Sequence, residues 1–241
     1  MGHQPKLSQP DDAPRALPGR RERAKLDKRR RLVAAARALF SRKGFAATTT
    51  SEIAERADIG AGTLFLYVQS KEELLVLVFQ DDMSRVRDDA FATLPGRNAA
   101  LLDEIFHVYA AMSAFHDRDR PLARVFAKEV AFVREPNRAI LLDFMETLFA
   151  KSDARIEAAK ARGELAADVP ARTLSENLFA AFFVGLQSAL GGDAPVASPE
   201  YLAALRARLA LQLRGLGPAA AGSAPSRARR TAGRRPRRGD A

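Results

Sequence analysis

Thr48-Thr49-Thr50-Ser51-Glu52-Ile53-Ala54-Glu55-Arg56-Ala57-Asp58-Ile59-Gly60-Ala61-Gly62-Thr63-Leu64-Phe65-Leu66-Tyr67-Val68-Gln69-Ser70-Lys71-Glu72-Glu73-Leu74-Leu75 is the stretch that decides the fold. Thr49 is followed three residues later by Glu52, the spacing of a capping box, so a short helix starts there and turns Ile53, Ala54 and Ala57 inward. Asp58 ends it and Ile59 re-enters the core. A second short helix, from Gly60 or Ala61 to about Val68, puts Leu64, Phe65 and Val68 on one face. Two short helices joined by a tight turn make a helix-turn-helix. Ser70 with Glu73 repeats the capping spacing and opens a longer helix striped by Leu74, Leu75, Val78, Phe79, Met83 and Val86.

Upstream, Leu32, Val33, Ala36, Leu39 and Phe40 recur at helical spacing, so a first helix runs from about Ala24 or Lys25 to Lys43, closed by Gly44. Together with Ala35-Ala36-Arg37-Ala38-Leu39-Phe40-Ser41-Arg42-Lys43-Gly44-Phe45, the opening stretch resembles the DNA-binding domain of the TetR family of transcriptional regulators, from roughly Leu26 to Leu75. Two positions depart from that family's pattern. Asp58 stands where the family usually has Gly, and Asp tolerates a left-handed backbone better than most residues. Phe65 stands where it usually has Tyr, so one hydroxyl is missing and Tyr67 is the substitute.

The resemblance implies a homodimeric, ligand-responsive regulator, most simply a repressor released from a palindromic operator by a small apolar or amphipathic effector. On that reading Ala61, Gly62 and Thr63 face base edges, while Thr49, Thr50, Tyr67 and Lys71 hold phosphates. None of the base-facing residues is a bidentate reader such as Arg, Asn or Gln, so direct readout is thin. Lys25, Lys28, Arg29, Arg30 and Arg31 open the first helix and would flank a DNA backbone; a solvated basic helix start reads the same in sequence.

The chain has 241 residues, no Cys and a net charge of +10. The missing Cys excludes disulfides and thiol chemistry and fits a reducing compartment. With no apolar leader, and with its longest uncharged run, 177–192, broken by Asn177, Gln187 and Ser188, the expectation is a cytoplasmic protein without a membrane partner. Charge is concentrated at the ends. Residues 1–31 hold ten Lys/Arg against four Asp/Glu, and residues 218–241 seven Arg against one Asp. Poor in large apolar residues, 1–24 and 218–241 are expected to be a disordered basic arm and a disordered Arg-rich tail, either nucleic-acid arms or merely solubilising ends. They also motivate an alternative function, an architectural, sequence-tolerant DNA-binding protein.

Between the tails the domains are 25–72, a three-helix head with the helix-turn-helix proper at 49–68, and 73–217, a larger helical body for effector and dimer. The fourth helix runs from Lys71 to about Leu94. Further helices are expected at about 99–116, after Pro121 with Val125, Phe126, Val130 and Phe132 inward, at 137–161, at 173–190 and at 199–216. No alternating apolar run appears, so the fold is all-α with about nine helices.

The resemblance also implies an apolar effector pocket. Its candidates are Phe79, Met83, Phe106 and Met112, with Phe144 and Met145, and with His107 and Tyr109 as polar members; Phe126, Phe182 and His116 are further ones. Ala181, Gly185 and Ala189 recur every four residues beside Leu178 and Phe182, and Leu205 and Leu209 lie on a stripe in the next helix. In similar proteins such helices pair between two subunits, although the same spacing fits an intramolecular core. Glu104 and His107 match one Glu-x-x-His half of a di-iron bundle, but three His in all cannot supply the rest. Neither enzyme chemistry, nor a cofactor, nor a metal is expected.

Overall fold

A 24-residue helix, α1 (Arg20–Lys43), opens the computed structural model, which describes residues 19–96 and 98–218 of the chain. Eight more α-helices follow in order among the described residues, with no strand: α2 (Thr50–Arg56), α3 (Ala61–Leu64), α4 (Lys71–Ala92), α5 (Leu101–His116), α6 (Arg120–Glu129), α7 (Arg138–Ala161), α8 (Ala171–Gly191) and α9 (Pro199–Leu213) complete the set. The basic arm of residues 1–18 and the Arg-rich tail from 219 onward lie outside the described residues. Helix α1 starts at Arg20, four residues earlier than the apolar stripe predicts, because Arg20-Arg21-Glu22-Arg23-Ala24 are good helix formers with nothing to stop them. No described helix is long and apolar enough to cross a membrane.

Two cores meet on α4. Leu32, Leu39 and Phe40 of α1, Ile53 and Ala54 of α2, Leu64, Val68, and Leu74, Leu75 and Val78 of α4 form the head core. Val76, Phe79, Met83 and Ala90 of the same helix belong to the body core with α5 to α9. Every residue from Glu73 to Gln80 is buried, as expected of a helix wrapped on all sides. A displacement of α4 in one core is therefore felt in the other.

Charged groups join the helices where apolar ones do not. Glu104 on α5 is fully buried and accepts two bonds from Arg155 on α7, at 2.8 and 2.7 Å. Its place in the structure is this bidentate pair. Phe132, expected inward, is 72% exposed, because α6 gives way at Val130 to a single 3₁₀ turn that swings it out.

Candidate nucleic-acid interface

The head is built from the caps outward. The Thr49 hydroxyl accepts the Glu52 N–H at 3.3 Å, and a Glu52 oxygen accepts both the Thr49 N–H at 2.9 Å and the Thr49 hydroxyl at 2.8 Å. Glu52 is also bonded to Lys43 at the end of α1, and these bonds, Lys43 first, lower its pKa to about 2. The two helices are thus fixed at their exposed junction as well as in the core.

Helix α2 ends in a Schellman turn. The Ile59 N–H reaches the Ala54 carbonyl at 3.0 Å and the Asp58 N–H that of Glu55 at 3.0 Å, with Asp58 at φ +53°. Asp58 is the one non-glycine residue with positive φ among those described, at the position where Gly is usual. Its carboxylate accepts from Arg31 of α1 at 3.2 Å.

Helix α3 is shorter than the apolar spacing predicts. One α-turn, Ala61–Leu64, is followed by 3₁₀-type bonds from Leu66 to Thr63 at 3.1 Å and from Tyr67 to Leu64 at 2.9 Å. Gly60 and Gly62 weaken a helix this short. Leu64 and Val68 are its buried anchors and Tyr67 packs half-buried beside them, which displaces Phe65 from the inward face; Phe65 is 54% and Leu66 76% exposed. Ala61 and Gly62 are exposed and Thr63 half-buried. The tip offered to a partner is thus small and apolar.

Lys71 departs from its expected role. Its ammonium donates to the carbonyls of Phe45 and Thr48, both at 3.0 Å, and lies 3.4 Å from that of Ala46, over the Phe45 ring. All three donors are directed into the loop between α1 and α2, so Lys71 closes that loop instead of standing free for a phosphate. The Thr49 hydroxyl is likewise engaged in the capping box, whereas Thr50 is half-buried beside it.

Sequence reasoning missed Arg21. With Lys25 and Lys28 it forms one basic side of α1, and these three line a recess of about 380 Å³ with Leu66 and Tyr67. Their spacing of four and three residues was the available signal.

Asn137, just before α7, was also missed. Buried, it donates to the Tyr67 carbonyl at 2.7 Å and to Glu73 at 3.0 Å. Glu73 in turn accepts the Gln69 N–H, rather than that of Ser70, so only the Ser70 half of the second capping box forms, Ser70 accepting from the Glu73 N–H at 3.0 Å. The body is thereby bonded to the backbone just beyond α3.

In the body, an apolar cavity of about 100 Å³ is lined by Met83, Met112, Phe144 and Met145 as expected, and by His116, Phe126 and Phe182. Four expected members lie elsewhere. Phe79 stands behind the wall, stacked on Phe126 at 4.3 Å, and Tyr109 is fully buried behind Phe182, stacked at 4.7 Å. Phe106 packs under Arg206, and His107 lies 3.2 Å from the Thr93 hydroxyl. Period alone placed them on an inward face without saying which neighbour that face meets. Burial lowers the His116 pKa, opposed by its Nδ1 contact with the Met112 carbonyl at 2.7 Å.

The proposed subunit face is also corrected. Leu178, Phe182, Gly185, Leu205 and Leu209 are all buried within this chain, and a Cβ at Gly185 would run into the Arg208 guanidinium. They are the α8–α9 seam of the body itself. Ala181 and Ala189 lie half-buried at its edge. Exposed instead are Asn177, Ala180, Val184 and Gln187 on α8 and Ala204, Ala207 and Leu211 on α9, with Val184 at 68% and Leu211 at 60%.

A capped helix pair joined by a Schellman turn, braced under a long helix with a basic flank, defines a helix-turn-helix head on an α-helical body. Residues 32–78 match the model of the bacterial regulatory proteins of the tetR family. The HTH-type transcriptional repressor KstR of Rhodococcus jostii (strain RHA1) is 30% identical over 133 residues, 54% of this chain and 61% of that protein. KstR of Mycobacterium tuberculosis is 36% identical over 63 residues, 26% of this chain and 29% of that protein. The chain thus spans about three fifths or less of these two curated relatives. Among solved structures, Salmonella enterica GusR is 26% identical with a TM-score of 0.51 over 78% of this chain and 96% of that one. Thermus thermophilus FadR, a TetR-family repressor in complex with lauroyl-CoA, shares the fold with a TM-score of 0.60 at 21% identity, over 81% and 98% of the two chains.

Proposed function

We propose that the protein is a homodimeric, ligand-responsive transcriptional repressor whose two heads enter successive major grooves of a palindromic operator. The observation that carries this reading is the head: a Schellman turn at Asp58 presents Ala61, Gly62 and Thr63 on an exposed tip, beside the basic side made by Arg21, Lys25 and Lys28. Bases are met by that tip, with Leu66 at its margin. Phosphates are held by Arg21, Lys25, Lys28, Thr50 and Tyr67, and Lys71 acts by fixing the loop that carries Thr49 and Thr50.

The partner subunit packs on the exposed side of α8 and α9, where Ala180, Val184, Ala204 and Leu211 leave a small-residue apolar face uncovered. The effector is apolar at one end at least, because Met83, Met112, Phe144, Met145 and Phe182 offer it no charged group. Lauroyl-CoA in the FadR of the same fold is a ligand of that kind. Effector binding shifts α4, which is buried in both cores, and changes the separation of the two heads. By reciprocity operator DNA weakens effector binding by the same factor, typically about 5 to 150-fold.

The test is selection of bound sequences from a random duplex pool by the purified full-length chain, followed by footprinting. An inverted repeat with half-sites about one helical turn apart, or a multiple, is expected. A footprint without sequence preference, or a strictly monomeric protein, would sink the reading.

A further inference from the structure

A wide recess lies apart from both the exposed tip of the head and the body cavity. Helices α1 and α4, with Ile140 of α7, enclose a groove of about 690 Å³, within the range of small-molecule sites, whereas the body cavity of about 100 Å³ falls below it. Its floor is apolar, from Leu26, Val33, Ala34, Leu77 and Ile140, and its rim carries five arginines against the single carboxylate of Asp81. Asp81 is already taken by Arg37 and by Arg85, the latter at 2.6 Å, and Arg30 reaches Asp27 at 3.5 Å.

Two arginines are left. Neither Arg23 nor Arg29 has a carboxylate within ion-pair distance among the described residues. The Arg29 Nε is buried without an acceptor. Burial lowers the Arg29 pKa, and the Glu73 carboxylate opposes that only from a distance, its oxygens being bonded to Asn137 and Gln69. Gln80, 4% exposed, lines the same groove with its Nε2 unpartnered, and it also lines the body cavity. Buried donors without acceptors are costly, and here two of them border one recess.

We propose that this groove binds a single-chain anionic amphiphile, an alkyl carboxylate or alkyl phosphate, with its chain on Leu26, Val33, Leu77 and Ile140 and its anionic head on Arg23 and Arg29. Gln80 donates to an oxygen of the ligand. Operator DNA is not the occupant. At 3.6 residues per turn, Arg23, Leu26 and Arg30 lie on nearly the opposite side of α1 from Arg21, Lys25 and Lys28, with Arg29 between the two sides and half-buried in the groove. A ligand here is wedged between the helix that braces the head and the helix shared by both cores. Only that last consequence, control of the heads, rests on the function proposed above; the binding itself does not.

The experiment is calorimetric titration of the full chain with decanoate, decyl phosphate, decanol and inorganic phosphate, each below its micellar concentration. Decanoate or decyl phosphate should bind, the tighter of the two identifying the head group, with decanol and inorganic phosphate at least about tenfold weaker. Arg29→Gln should weaken the anionic ligand by about tenfold, the loss of one charge-assisted bond. Ala34→Phe, at an exposed position that keeps every charge, should abolish binding by filling the groove. Equal binding of decanol, or wild-type affinity in both variants, would overturn the proposal. The random-pool selection, run separately on the same proteins, tells the two readings apart: an operator without groove binding removes this inference alone, and groove binding without an operator removes the repressor reading alone.

Discussion

Replacing Asn137 by Ala tests how firmly the head is attached to the body. The side chain is 1% exposed and makes two bonds, to the Tyr67 carbonyl at 2.7 Å and to the Glu73 carboxylate at 3.0 Å. A neutral bond contributes about 0.5–1.5 kcal/mol and one to a charged acceptor about 1.5–3 kcal/mol, while the carboxylate left behind in a buried site loses a donor. Small rearrangements and water entry recover part of this, so the expected loss is about 2–4 kcal/mol. For a chain of this size each kcal/mol moves the midpoint by roughly 2–4 °C, so a fall of about 6–12 °C is expected near the middle of that range. Thermal and urea unfolding followed by circular dichroism reads it. Asn137→Asp should do worse at neutral pH, by setting a second carboxylate against Glu73, and should recover towards the Ala variant on acidification. Both variants within about 0.5 kcal/mol of the parent would mean that the bonds are matched by water, and the idea that Asn137 fixes the head would be wrong.

Asp58→Gly removes the positive-φ cost at the Schellman turn, which favours Gly by about 0.5–1 kcal/mol, and gives up the exposed Arg31 contact, which is worth less; a slightly higher midpoint in thermal unfolding is expected. Arg155→Ala leaves Glu104 fully buried and unpaired and should cost about 3–5 kcal/mol, whereas replacing the pair together by Leu and Met should recover most of it in urea titrations. His116 has its folded pKa pushed below the unfolded value of about 6.5, so the unfolded chain binds the extra proton first. Its contribution to stability is present above about pH 6.5 and is lost as pH falls towards the folded pKa. Melting curves between pH 7.5 and 5 should therefore be flatter for His116→Phe than for the parent, and identical slopes would exclude His116 as the cause.

What the sequence discloses about this molecule is what short-range chemistry determines. Thr49 and Glu52, Ser70, and Asp58 act on backbone groups within about five residues, so α2, the turn and the start of α4 are readable without coordinates. Lys71 shows where that stops. Its side chain is that of an ordinary surface lysine until the carbonyls of Phe45 and Thr48, more than twenty residues earlier, are brought beneath it. Arg155 with Glu104, and Asn137 with Glu73, are illegible for the same reason. The α8–α9 pair fails differently. Helical period finds the stripe of Leu178, Phe182 and Gly185 correctly and is silent on whether it meets its own chain or a second one, because packing is the same on either side of a subunit boundary.

That ambiguity bears on how the protein would switch. Since the small-residue seam is internal, the partner face of the proposed dimer is the adjacent one of Val184 and Leu211, and it is coupled to the wall of the cavity: Phe182 on α8 lines the cavity two residues from Val184. A bulky group entering beneath Phe182 displaces the backbone that presents Val184, because a close-packed interior transmits volume rather than absorbing it. On the function proposed above, the angle between two subunits, and with it the spacing of two heads, would be set from the same helix that senses the ligand, while α4 would carry the change within each chain. Val184→Arg separates these routes. By placing a charge on the outer face and nothing in the cavity, it should lower the dimer fraction in sedimentation while leaving the thermal midpoint of the protomer nearly unchanged. A fully dimeric Val184→Arg variant would move the subunit contact elsewhere on the surface and leave α4 as the sole path from body to head.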